Sequence, residues 1–324
     1  MGSRDFLHKH VETPLYQHYD AGGALCALST NCEQVIEAAR GSFLPIDTPS
    51  CPADFRVRLW VDDADPAPAP WPTPYVRGVG NAVFIGFDSH SSLLADLGTR
   101  RVSGRFSAAM AGDTAHWRAV IFPMLLSIMA GSVGLVELHA SCVARDRQGL
   151  VLIGPSRSGK STLAMALTEA GFRLLSDDRV FCSFKQGKLR AYGLPRPLKL
   201  RRDASSWFAE LRDREPNAIQ SGERVFYCEP DGRGEQQSIP ACEPQSLLFL
   251  DRRQSPGFSL SKMDRSEVRR RIERDLLAEA PDAIEKQDET LHNLATLPSW
   301  QLHYGGNPHV IAEQIEMSMA ASMC

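Results

Sequence analysis

Hydrophobic and polar positions follow two different periods along the chain, and the change of period divides it. Before about residue 110 the period is mostly two. Arg56 to Val61 alternates as a half-buried strand does, and Ala82 to Phe87 is a short apolar run. Between them, Asp62 to Pro74 is rich in Pro, Ala and Asp and predicts an extended, exposed loop. Gly78-Val79-Gly80-Asn81 predicts a turn. The uncharged stretch Ala119 to Val136 contains Pro123, Ser127, Gly131, Ser132 and Gly134, and it is barely long enough for a bilayer. A buried helix over Trp117 to Met129, then a turn and a strand, fits it better. Residues 1–110 therefore read as an α+β region and 111–324 as a second, α/β domain.

After Val133 the pattern predicts an ordered succession. Leu135 to Val143 reads as a strand, Arg145 to Gly149 as a hairpin turn, and Leu150 to Ile153 as a short buried strand. A glycine-rich loop follows. Ser161 to Ala170 then places Leu163, Ala164, Leu167 and Ala170 on one helical face, with Gly171 where a C-cap glycine belongs. Phe172 to Leu175 is another strand, ending at Ser176-Asp177-Asp178. Farther on, Lys199 to Asp213 reads as a charged helix, Glu229 to Gln237 as a loop, and Ser246 to Asp251 as a core strand. Arg265 to Glu279 is a charged helix in which Arg269, Arg270, Arg271 and Arg274 interleave with Glu267, Glu273 and Asp275. That interleaving predicts a solvated face, with a docking surface for an acidic peptide or phosphate as the sharper alternative. Gly305-Gly306-Asn307-Pro308 predicts a turn, and His309 to Met319 a last helix.

Composition narrows the function classes. The 324 residues are 43% apolar and 23% charged, with a formal charge of -3, so no overall basic field invites nucleic acid. None of the eight cysteines forms a C-x-x-C pair, which argues against a structural zinc site. The first residues lack the apolar core of an export signal. The expectation is a cytoplasmic protein with no membrane partner.

The candidate chemistry sits after the buried strand. Gly154-Pro155-Ser156-Arg157-Ser158-Gly159-Lys160-Ser161 fits G-x-x-x-x-G-K-S/T, in the strand-to-helix context the motif requires. In such a loop, backbone N–H groups and the helix dipole hold phosphate oxygens. Lys160 would reach the β- and γ-phosphates, and the Ser161 hydroxyl would ligate Mg²⁺. Asp177 and Asp178 follow after one helix and one strand, which in a parallel sheet places both carboxylates near the loop. One can hold the metal and the other can take a proton from an attacking hydroxyl. The plain alternative for Asp178 is a turn or N-cap role. His139, flanked by Leu138 and Ala140 in a predicted strand, reads from its neighbours alone as a satisfied core residue.

These residues together resemble a known family. Leu138-His139, the loop through Thr162-Leu163, and Gly171-Phe172-Arg173-Leu174-Leu175-Ser176-Asp177-Asp178 look like the catalytic domain of bacterial HPr kinase/phosphorylase, and more closely the HPr-kinase-related "kinase A" proteins. Pro195-Arg196-Pro197-Leu198-Lys199-Leu200 matches a further element of that group. The short spacing to Asp-Asp is shared with phosphoenolpyruvate carboxykinase. The resemblance covers residues 135 to 200. It implies a P-loop-containing mixed sheet with flanking helices, and ATP and Mg²⁺ as cofactors. It implies nucleotide binding by Gly154, Pro155, Ser156, Arg157, Ser158, Gly159, Lys160, Ser161 and Thr162, and metal binding by Ser161 and Asp177. It makes Asp178 the general base, turns His139 into an active-site histidine, and nominates Arg196 for the transferring phosphate or the acceptor.

The stretch Leu-Glu-x-Arg-Gly of true HPr kinases is absent, and Tyr192-Gly193-Leu194-Pro195-Arg196 stands in that region. HPr is therefore a poor acceptor, and phosphorylase activity is disfavoured. Related kinases modify ribosomally made peptides, including lasso-peptide precursors, sometimes beside a small peptide-binding chaperone. The implied acceptor is a Ser or Thr of a peptide or small protein, and the implied assembly a homo-oligomer. A small-molecule alcohol acceptor and a nucleotide-sensing module remain open alternatives.

Overall fold

The computed structural model describes residues 11–62, 70–194, 197–218, 224–228, 239–276 and 281–322. The chain divides into two compact units: Met1–Val133 with Glu279–Ile284, and Gly134–Ala278 with Glu285–Cys324. The division expected at residue 110 falls inside the first unit.

In the first unit, alternation of apolar and polar positions builds one eight-stranded sheet. Its strands are β1 (Leu15–Ala21), β2 (Ala24–Thr30), β3 (Leu44–Ile46), β4 (Phe55–Asp62), β5 (Tyr75–Val79), β6 (Ala82–Gly86), β7 (Ser92–Asp96) and β8 (Arg101–Ser107). Their order is β3-β1-β2-β4-β8-β7-β6-β5, with β4 parallel to both β2 and β8. Phe55, Val57 and Leu59 of β4 are buried, whereas Arg56 and Arg58 are exposed. Helix Glu33–Arg40 buries Val35 and Ile36. Phe106, Trp117 and Phe122 pack in succession as tilted rings with centroids 4.5 and 5.0 Å apart.

The helical run Thr114–Val133 is, among the described residues, the one stretch long and apolar enough to cross a membrane by length and composition. It is 72% buried inside the protein, as a core helix is. It widens to a π turn over Trp117–Ile121, where the Phe122 N–H bonds the Trp117 carbonyl. Pro123 follows at once, cannot donate, and its ring would crowd the carbonyl four residues back.

The second unit holds a nine-stranded mixed sheet. Its strands are β9 (Val136–Leu138), β10 (Ala140–Arg145), β11 (Gln148–Ile153), β12 (Arg173–Ser176), β13 (Val180–Lys185) and β14 (Lys188–Gly193), with three more below. A separate three-stranded sheet is formed by β15 (Leu198–Arg201), β16 (Asn217–Ala218) and β17 (Arg224–Cys228). The large sheet is completed by β18 (Ala241–Arg252), β19 (Gly257–Lys262) and β20 (Ser299–Gly305). The order is β12-β10-β11-β18-β14-β13-β9, with β20 also on β18 and β19 outside it. One edge of the long β18 serves two partners: its start pairs with β14, and its end runs parallel to β20.

Side chains of β11 alternate between two cores. Leu150 and Leu152 join helices Lys160–Glu169 and Pro308–Ser322 through Leu163, Leu167, Ile311 and Ile315. Val151 and Ile153 join the other face through Val268, Ile272, Leu291 and Leu294. Being buried on both faces explains why β11 reads as an uninterrupted apolar run.

Three expectations change here. The predicted strand Leu135 to Val143 is broken at His139, because β9 pairs with β13 while β10 pairs with β11 and β12. Lys199 to Asp213 is not a helix: it begins as strand β15 and continues as short 3-10 turns, Arg202–Ser206 and Ala209–Leu211. Leu198 and Leu200, buried and alternating, decide for the strand. The parallel arrangement expected around the loop and the Asp pair is interrupted, since antiparallel β10 lies between β11 and β12. Those two strands still point the same way. The predicted loop Glu229 to Gln237 lies outside the described residues, as do residues 63–69 of the loop after β4.

Arginines of helix Arg265–Asp275 are paired with acids of the same helix and of helix Pro281–Thr296. Arg269 meets Glu273 and Asp288 at 2.6 and 2.5 Å, and Arg270 and Arg271 both meet Glu267. The seven described cysteines are unbridged, and Cys142 and Cys242 lie Sγ to Sγ at 3.9 Å in the core.

Gly193 ends β14 against the backbone of β12, and a Cβ there would overlap the Leu175 carbonyl. Gly193→Ala should lower unfolding stability by about 1–3 kcal/mol. Gly257→Ala, which meets open space, should leave it nearly unchanged. Denaturant melts of both variants check this, and equal midpoints would contradict the packing described.

Candidate functional site

The glycine-rich loop leaves β11 at Gly154 and enters helix Lys160–Glu169 at Gly159. Two of its residues sit in left-handed backbone conformation, Arg157 at φ 71° and Gly159 at φ 86°. A Cβ on Gly159 would overlap the Tyr304 hydroxyl, so this position needs glycine twice over. The buried Tyr304 hydroxyl donates to the Ser158 carbonyl at 2.7 Å. Burial pushes its pKa up to about 12, so it stays a neutral donor. No side chain caps the helix at Gly159, which leaves its first N–H groups for another acceptor. The Ser158 hydroxyl, buried within the loop, has no hydrogen-bond partner among the described residues.

Lys160 is 7% exposed and donates to the Gly154 and Pro155 carbonyls at 2.7 and 3.2 Å. Burial lowers its pKa, and the charges of Asp178 and Asp177 oppose that shift. The ammonium is thus desolvated, positioned and close to two carboxylates.

The two aspartates, adjacent in sequence, occupy opposite environments. Asp177 is buried and its Oδ1 accepts from the Ser141 hydroxyl at 2.6 Å and the Ser161 hydroxyl at 2.9 Å. Its Oδ2 accepts from the Lys199 N–H at 3.2 Å. Burial raises its pKa, and the Ser141, Lys199 and Ser161 hydrogen bonds only partly offset that. Asp178 has φ 75°, a strained value for a residue with a side chain, and its carboxylate turns outward. Its Oδ1 lies 3.1 Å from Nδ1 of His139, with side chains 54% and 51% exposed. The break between β9 and β10 is what frees His139 from the core position its neighbours suggest.

These groups share one cleft of about 710 Å³ with Ser156, Arg157 and Thr162. Among the described residues its cationic side chains are Arg157, Lys160, Lys199, Arg201, Arg202, Arg224 and Arg252, against Asp177, Asp178 and Asp203. Seven positive groups against three negative ones suit a polyanion. Gly154 and Pro155 do not line the cleft; they serve it through the carbonyls that hold Lys160. Arg196 and Pro195 lie outside the described residues.

Ser161 and Asp177 offer adjoining hard oxygen donors, 2.9 Å apart. Among the described residues no group of three or more His, Cys, Asp or Glu side chains could hold a metal ion. The two hard oxygens of Ser161 and Asp177 suit an ion such as Mg²⁺, which commonly keeps several of its waters. Sequence reasoning missed Tyr304 and Ser141. For Tyr304 there was no local signal. Ser141 could have been found, because two residues past His139 it lies opposite the end of β12.

The state of Asp177 makes a stability prediction. Below about pH 4 its carboxyl is protonated in both the folded and unfolded chain. As pH rises toward its elevated native pKa, the unfolded chain ionises first, so the folded state loses stability. Asp177→Asn removes this loss. Its melting temperature relative to wild type should therefore climb as pH rises from about 4 and then level off. A difference independent of pH would contradict the burial-driven shift.

Neither a protein-family model nor a curated protein matches the chain. Among solved structures, the Hpr(Ser) kinase/phosphatase from Coxiella burnetii is a neighbour with TM-score 0.32 and 13% identity, covering 58% of this chain and 99% of that one. What the structure itself shows is a mixed α/β protein with two large mixed sheets.

Proposed function

We propose that this chain is an HPr-kinase-like phosphotransferase that moves the γ-phosphoryl group of ATP to a Ser or Thr hydroxyl of a peptide or small protein. One observation carries the reading. The glycine-rich loop with its buried Lys160 and the outward Asp178–His139 pair open onto the same cationic cleft.

In this reading the loop N–H groups and the start of helix Lys160–Glu169 hold the nucleotide phosphates. Mg²⁺ would bind at Ser161 and Asp177 and supply positive charge beside the β- and γ-phosphates. Asp178 accepts the proton as the acceptor oxygen forms its bond to the γ-phosphorus and the bond to the bridging oxygen breaks, releasing ADP. His139 holds the Asp178 carboxylate in place through Nδ1. Lys160 stabilises charge on the transferring group, and Arg196 is the candidate to assist it.

The exposure of Asp178 and His139 favours a macromolecular acceptor, since more than half of each side chain is open to solvent. A small alcohol would need an enclosing wall over Asp178.

Asp178→Asn should keep nucleotide affinity and lower transfer by about 10²- to 10⁴-fold. Mass spectrometry of candidate Ser- and Thr-containing peptides after incubation with ATP reads the outcome. Phosphorylation by the variant at the wild-type rate would place the base elsewhere.

A further inference from the structure

The sheet of the first unit carries a second, separate pattern. On the face opposite Phe55, Val57 and Leu59, the register sets Arg56 beside Arg101 and Trp60 beside Arg105. Along the middle row, Arg58 lies beside Ser103, Ser103 beside Leu94, Leu94 beside Phe84, and Phe84 beside Arg77. The acidic side chains on this face of the five strands β4 to β8 are Asp62, paired with Arg105 at 2.5 Å, and Asp96. Five guanidiniums therefore share this face with two carboxylates; Arg58 also donates to the Val11 carbonyl and Arg77 to the Val76 carbonyl. That is a segregation, because residues 1–133 as a whole carry ten Lys and Arg against thirteen Asp and Glu.

The same face exposes apolar surface in one place. Phe84 is 45% and Leu94 52% exposed, and they are direct cross-strand neighbours, with Val79 at 82% on the adjacent strand. Large apolar side chains grouped in the open, rimmed by charge, mark a binding surface. The arginines of β4 and β8 begin one to two strand spacings from Leu94, or about 5–10 Å. An extended peptide covers about 10 Å in three residues.

We propose that this face binds an acidic peptide segment in which an apolar anchor sits on Phe84 and Leu94 and carboxylates about three residues away reach Arg58 and Arg101. Charge complementarity selects an acidic partner. The aliphatic Leu94 and Val79 favour a peptide over single-stranded nucleic acid, which needs successive open rings for stacking. The Tyr75 ring is already covered by the Arg77 guanidinium at 4.4 Å. The proposal stands independently of the phosphoryl-transfer reading.

The test uses the full chain and a fluorescein-labelled twelve-residue peptide with two leucines placed three residues before four glutamates. Three probes accompany it: one with the glutamates changed to lysines, one with the leucines changed to serines, and an oligothymidylate of twelve nucleotides. Fluorescence anisotropy should show binding of the acidic peptide that weakens with added salt. Both altered peptides should bind at least about tenfold more weakly, which corresponds to about 1.4 kcal/mol. Arg58→Glu with Arg101→Glu, and Phe84→Ser alone, should each weaken the acidic peptide by about tenfold or more, while nucleotide binding and circular dichroism stay unchanged. Equal affinity for the acidic and lysine peptides would overturn the proposal. So would tighter binding of the oligothymidylate, or a dimer in sedimentation that Phe84→Ser dissolves.

Discussion

The buried carboxylate of Asp177 is the knot of the second unit. It accepts hydrogen bonds from β10 through Ser141, from the helix after the glycine-rich loop through Ser161, and from the backbone of β15 at Lys199. Three elements far apart in sequence are thereby fixed around one charge. Hydrogen bonds to a charged group contribute about 1.5–3 kcal/mol each. Burial nevertheless wins, since the pKa is raised and not lowered. The residue is placed at a cost to the fold, as groups kept for chemistry often are. A divalent cation beside the carboxylate is the partner that would relieve that cost.

The knot also separates two neighbouring carboxylates by environment. Asp177 faces inward with three donors, whereas Asp178 is forced outward by a left-handed backbone turn and meets His139. Adjacent aspartates so divided can take different tasks, one beside a metal and one beside a proton. Lys160 completes the arrangement by donating to the loop's own Gly154 and Pro155 carbonyls, which fixes its ammonium.

Much of this was legible in the sequence because it is local. The loop, its helix, the cap at Gly171 and the Asp pair follow from glycine placement and period alone. The strand before His139 was misread because apolar residues on either side give no sign that the chain changes pairing partners there. Lys199 to Asp213 was misread because its charges mask the alternation of Leu198 and Leu200, which is decided by packing of the small sheet. Tyr304 reaches Ser158 across 146 positions, and no periodicity encodes such a contact. The arginine face of the first unit is likewise invisible until strand order aligns β4, β8, β7, β6 and β5.

The proposed function requires that the loop and the buried Asp177 carboxylate together bind a magnesium–nucleotide phosphate chain. Calorimetric titration of wild type and Lys160→Ala with ATP, each with and without Mg²⁺, tests it most directly. Wild type is expected to bind one nucleotide per chain in a Mg²⁺-dependent way, and the variant to lose that binding. Binding that is undiminished in Lys160→Ala, or indifferent to Mg²⁺, would contradict it.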